Sequence, residues 1–158
     1  MARKLYATFV GTDVRCTLTL YDAEAPVTAG AIWQALVKPV RATTLHAIFA
    51  GPEIMLDLPP EARAFDPGEL PAEHQTCFPG AGDCLWFYQR ANAMKGLDFE
   101  MWEIGIFYAD GGRIFGPLGW SPCTIFARIT DNLEAFAGGC RDIRWSGAKT
   151  LELGRKAG

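Results

Sequence analysis

Apolar and polar residues alternate with a period of two in one short segment after another along this chain. Val14, Cys16, Leu18 and Leu20 alternate with Arg15, Thr17, Thr19 and Tyr21. Met101, Glu103, Gly105 and Phe107 alternate with Trp102, Ile104, Ile106 and Tyr108. A strand sends successive side chains to opposite faces, so each segment reads as a strand with two distinct faces. Strands are read over residues 4–10, 14–21, 45–50, 53–57, 84–88, 101–108, 113–115, 123–130 and 149–154. Gly11-Thr12-Asp13 joins the first two, and Gly51-Pro52 folds 43–57 into a hairpin. Asp110-Gly111-Gly112 is a further hairpin turn.

Two segments carry helical spacing instead. Pro26 fits a first helical turn and Thr28 can cap its free N–H groups. Ile32, Trp33 and Leu36 give that helix a buried stripe, and Pro39 ends it. The second helix spans 131–137, with Asp131 and Glu134 at capping-box spacing and Gly138-Gly139 as a stop. Residues 89–97 are polar and loop-like, and 116–122 read as a rigid Gly/Pro loop. Residues 58–83 hold five prolines and no periodicity. They read as a surface excursion over one end of the fold, because the flanking strands are too short to stand alone. The chain, 1–158, is therefore expected to be one domain. Many short strands with two helices predict a mainly β fold, a barrel carrying helices at its ends.

Composition excludes several classes. The formal net charge is −3 without a basic block, so no nucleic-acid partner is expected. No apolar run approaches the ~20 residues of a membrane helix, and no membrane partner is expected. Arg3 and Lys4 are not followed by an apolar signal core, which points to a cytoplasmic location. The five cysteines are odd in number and lack CxxC spacing, so they read as reduced, structural thiols. His74 and Cys77 form a single HxxC in a chain with 2 histidines, too few for a zinc set; no metal and no cofactor are expected.

The segments APVTAGAIWQAL (25–36) and LHAI (45–48) resemble the Pro-x-Thr helix and Phe-His-Arg-Ile strand of cyclophilins, the peptidyl-prolyl isomerase family. IFARITDNLEAF (125–136) and GAKTLELG (147–154) are similar to that family's later strand, helix and closing strand. The resemblance covers about half the chain and implies a closed eight-stranded cyclophilin-like β-barrel capped by two helices. The family's catalytic arginine sits at the third place of Phe-His-Arg-Ile, which here is Ala47. Without that guanidinium, prolyl isomerase activity is not expected. The nearest match to the family's Gln-Phe-Phe is Glu103-Ile104-Gly105. With GDCLWFY at 82–88, the pattern resembles the short bacterial cyclophilin-like proteins of unknown function.

Glu103 is the leading catalytic candidate. A mid-strand carboxylate among Trp102, Ile104 and Ile106 is costly unless paired or solvated. The resemblance implies that it faces an outer groove beside Ala47 and Phe49, where it would serve as an acid or base; the plain alternative is a solvated strand face. His46 is a second catalytic candidate, although its cyclophilin counterpart is structural and alternation points it away from the Ala47–Phe49 face. Phe49, Tyr88, Tyr108, Arg113 and Trp120 are the ligand-binding candidates: Trp120 by its match to the groove wall, the tyrosines as hydroxyl donors, Arg113 as partner for a ligand carboxylate. The expected function is binding of a small molecule, with Glu103 as acid/base in a cofactor-independent hydrolysis or isomerisation of a small amide, lactam or carbonyl compound. The alternative is a non-catalytic module that binds a short peptide or supports assembly. A homodimer is compatible with either.

Overall fold

The computed structural model describes residues 1–158 and closes the strands into a cylinder. The strands are β1 (Lys4–Phe9), β2 (Arg15–Leu20), β3 (Val40–His46), β4 (Glu53–Asp57), β5 (Gln75–Thr76), β6 (Asp83–Gln89), β7 (Met101–Phe107), β8 (Phe115–Gly116), β9 (Gly119–Trp120), β10 (Cys123–Asp131) and β11 (Lys149–Arg155). Antiparallel pairing runs β2-β1-β11-β3-β4-β7-β6-β10, and β10 returns to pair with β2. The result is an eight-stranded closed barrel with no free edge among its members. β5 adds a short rung on β10, and β8 and β9 form a separate small hairpin. The helices are α1 (Pro26–Ala35) and α2 (Leu133–Ser146).

Alternation sorts side chains into two apolar clusters. Trp102, Ile104 and Ile106 of β7, with Cys84 and Trp86 of β6, point into the barrel and join the main core. The barrel interior is thus filled with side chains, as eight-stranded barrels commonly are. Leu85, Phe107, Cys123 and Ile125 form a second buried cluster on the outside of the same strands. That outer cluster exists because residues 47–50, Ile114 and the β8–β9 hairpin cover this part of the wall. Register shifts between Ile125 and Ala127, and between Ile129 and Asp131, bend β10 so that it reaches β2.

Several boundaries differ from the expectations. Alternation over 45–50 does not make a strand: β3 starts earlier, at Val40, and ends at His46. Residues 47–50 bend away, held by the Ala47 N–H to the Glu53 carbonyl. Residues 113–115 do not return along β7, since β4 and β6 already occupy both of its edges. The segment read as a rigid loop instead contains the β8–β9 hairpin, paired Phe115 to Trp120. Gly138-Gly139 does not stop α2, which runs on to Ser146 because Cys140 and Ile143 extend its buried stripe. Asp131 does not cap α2; its carboxylate accepts from the Thr17 N–H and hydroxyl instead. Thr28 does not cap α1 either: Glu73 Oε1 accepts the Thr28 N–H at 2.6 Å. The excursion carrying Glu73 is therefore fastened to the barrel, and Phe65 within it packs against Trp86 and Trp102.

Candidate functional site

The outer faces of β4, β6 and β7 form the floor of a cavity of about 210 Å³. β4 contributes Glu53 and Met55, β6 contributes Leu85, Phe87 and Gln89, and β7 contributes Met101 and Glu103. Residues 47–50, Ile114, the β8–β9 hairpin and Cys123 of β10 supply the walls, and Met94 closes one side. Residues at every second position along three neighbouring strands face one way, so the strand period itself builds this floor. The lining is mostly apolar, and no Lys, Arg or His belongs to it.

Two carboxylates stand in that apolar setting. Glu103 is 7% exposed and Glu53 is 4% exposed. Glu53 lies across the next strand at Gly105: a Cβ there would sit 2.6 Å from Glu53 Oε2. The missing side chain of Gly105 thus gives the Glu53 carboxylate its bed. No side chain or backbone N–H of the protein donates a hydrogen bond to either carboxylate. Burial, then the Glu103 charge, drives the Glu53 carboxyl well above its ordinary range. Burial, then the charge of Asp57 directly across from it on β4, pushes Glu103 up to about 7. Near neutrality, therefore, the neutral acid form is favoured over two full charges in this hollow. The Cys123 thiol is pushed up to about 12, by burial and then by these two acids, and so is no thiolate nucleophile.

Gln89 completes the polar set. It is 6% exposed, lines the same cavity, and its Nε2 has no hydrogen-bond partner. A buried amide without a partner costs free energy unless a ligand or water satisfies it. Gln89 lies opposite Met101 and Glu103 lies opposite Phe87, so amide and carboxylate are one outward step apart along the β6–β7 ladder.

The sequence candidates divide by location. Glu103 and Phe49 line the cavity, with Phe49 half-exposed at its rim beside Ala47. Trp120 lies just outside on β9, packed against Phe115 at 5.0 Å and Phe78 at 5.3 Å between ring centres. His46 and Tyr108 lie away from the cavity and bond to each other. His46 Nδ1 donates to the Ala47 carbonyl, so in the neutral ring Nε2, 2.7 Å away, accepts from the Tyr108 hydroxyl. Tyr88 donates to Glu100 and packs edge-on to Trp102. Arg113 is exposed; its backbone N–H donates to the Ala50 carbonyl, and its side chain reaches towards Gly51 rather than into the cavity. No group of three or more His, Cys, Asp or Glu side chains converges as a metal set.

Glu53 and Gln89 were missed by sequence reading. Glu53 opened a short return strand, and Gln89 opened a polar loop. One signal could have found both: each stands two residues from an apolar outward neighbour, Met55 for Glu53 and Phe87 for Gln89.

A family model described as "Protein of unknown function (DUF3830)" matches residues 7–155. The chain belongs to that family. No curated protein matches this DUF3830 member. Among solved structures it is similar to the mimivirus cyclophilin, at 10% identity and TM-score 0.59, over 98% of this chain and 87% of that one. It is similar to the hypothetical protein AF2241 from Archaeoglobus fulgidus, at 19% identity and TM-score 0.57, over 98% and 95%. It is also similar to McbB, whose structure is described in complex with tryptophan, at 13% identity and TM-score 0.68, over 98% of this chain. The chain spans 45% of McbB's length. At these identities the likeness shows the fold alone, and that fold is cyclophilin-like. No helix of this DUF3830 member is long and apolar enough to cross a membrane.

Proposed function

We propose that this DUF3830 member binds a small apolar organic molecule in the outer cavity, with Glu103 as its general acid or base. One observation carries the reading: two buried carboxylates sit without hydrogen-bond donors from the chain, inside an otherwise apolar hollow. Such an arrangement lowers stability and is retained where the groups act on something that enters. A carboxyl held near 7 can give or take a proton at neutral pH, as hydrolysis or isomerisation of a small amide, lactam or carbonyl compound requires. The cavity volume suits one ring with a short arm, below the usual range for drug-sized ligands. The tryptophan described in McbB is an aromatic ligand of similar scale, and supports the reading only by analogy of fold.

The test is a panel of small aryl amides, lactams and ketones, followed by NMR for turnover and for shifts at cavity residues. Wild-type protein is expected to turn over at least one member, and Glu103→Gln to slow it by about 10²-fold or more without lowering the melting temperature. Turnover unchanged in Glu103→Gln would remove the acid/base role, and an absence of shifts at the cavity would remove the binding role.

A second reading, a peptide-binding module without catalysis, is favoured by the exposed apolar rim of Ile48, Phe49, Phe115 and Leu118. It predicts shifts along this rim when extended proline-bearing peptides are added. With Ala47 where a cyclophilin has its arginine, no prolyl isomerase activity is expected in either case.

A further inference from the structure

The cavity has two acids and no base. Nothing positive in its lining balances Glu53 and Glu103, and Arg113, next to the lining residue Ile114, is exposed with its side chain beside Gly51. Among the lining side chains, charge can be balanced only by protons on the two acids. A ligand that displaces those protons must bring positive charge of its own, and in an apolar pocket an unmatched charge is worth far more than in water. Gln89 adds a second, independent constraint. Its buried Nε2 lacks an acceptor, and it lies about 7 Å along the ladder from Glu103, two residues of strand rise.

We propose that the natural ligand is a small apolar molecule with a protonated primary amine seated between Glu53 and Glu103 and an oxygen acceptor met by the Gln89 amide. This rests on the small-molecule reading above and narrows it to one ligand class. The ammonium donates to both carboxylates, and any proton these groups carried in the free protein leaves to solvent, so charge is conserved. Met55, Met101 and Phe87 pack around the apolar body, where thioethers and a ring face suit a cation-bearing chain. Gly105 is a specificity element, because a side chain there would displace the Glu53 carboxylate from its place over β7.

Other titratable groups near the pair are few. On β4, Asp57 accepts from the Trp102 N–H and feels the Arg63 charge. On β10, the Cys123 thiol stays protonated. The covering loop 47–50 and the β8–β9 hairpin contribute no titratable side chain.

Calorimetric titration of the intact protein with 2-phenylethylamine, 2-phenylethanol and phenylacetate tests this. The amine is expected to bind at least about tenfold more tightly than the alcohol, with phenylacetate weakest. Its affinity should rise from about pH 5.5 to about pH 8, by at most about tenfold per pH unit, with heats that depend on the buffer as protons are released. Glu53→Gln and Glu103→Gln should each cut amine affinity by about tenfold or more and leave the alcohol's unchanged. Because both replace a buried carboxyl with a neutral isostere, folding is expected to survive; the wild-type pH profile reads the same point without a variant. Phenylacetate binding as well as the amine, or an amine preference that survives both substitutions, overturns the inference while leaving small-molecule binding intact. Absence of binding by all three overturns both.

Discussion

Thr28 is fully buried in the first turn of α1, and its hydroxyl has no partner. Its backbone N–H is the part that matters, donating to Glu73. Thr28→Val should therefore raise stability by about 1 kcal/mol, whereas Glu73→Ala should lower it by about 1 kcal/mol, both read by chemical denaturation. A stabilising Glu73→Ala would show that this cap contributes nothing. The same contrast explains what single residues disclosed beforehand. Glu103 was visible because its neighbours in sequence are apolar, so a carboxylate there stood out. Glu53 was not, since its burial depends on the bare backbone of Gly105 in a different strand and on two covering loops. Gln89 looked like the start of a polar loop because its apolar surroundings come from other strands.

At the level of elements, α2 holds two adjacent glycines with opposite meanings. A Cβ at Gly138 would meet nothing within 4 Å, but one at Gly139 would fall 2.5 Å from the Phe9 ring. Phe9 is stacked on Phe136 at 5.1 Å, so it cannot retreat freely. Gly138→Ala should stabilise the protein by about 0.5–1 kcal/mol through helix propensity. Gly139→Ala gains the same propensity but forces the ring aside, and a net loss of about 1–3 kcal/mol is expected in thermal unfolding. Equal effects at both sites would refute this account of the close approach. Local sequence presents Gly-Gly as a stop; only the barrel wall reveals that one of them is a contact. Strand existence was readable for the opposite reason, since alternation is written into each segment. Which segments are neighbours was not, and so the β8–β9 hairpin was taken for a loop.

For the whole molecule, the buried pair sets the pH response. Glu103 keeps its proton to about pH 7 when folded but only to the ordinary 4.5 when unfolded, and Glu53 is shifted the same way. Over that window the native state binds more protons than the unfolded state, so stability falls as pH rises, by about 3 kcal/mol for a shift of this size. At the acid end the sign reverses: hydrogen bonds from Thr17 hold Asp131 below its ordinary range, and that contribution is lost as pH drops through it. A melting temperature that peaks near about pH 5 and declines towards about pH 8 is expected from calorimetry. Glu103→Gln should flatten the decline; an identical slope in the variant would mean that the charge is already solvated. Closure of the barrel has one more consequence. β1 and β11 lie side by side, and the Lys156 N–H donates to the Lys4 carbonyl. The two extremities of the described chain are thus within a few residues' reach of each other. Circular permutants made by linking them, and reopening the chain at the Gly11 turn between β1 and β2, should refold to the same cylinder with the outer cavity preserved.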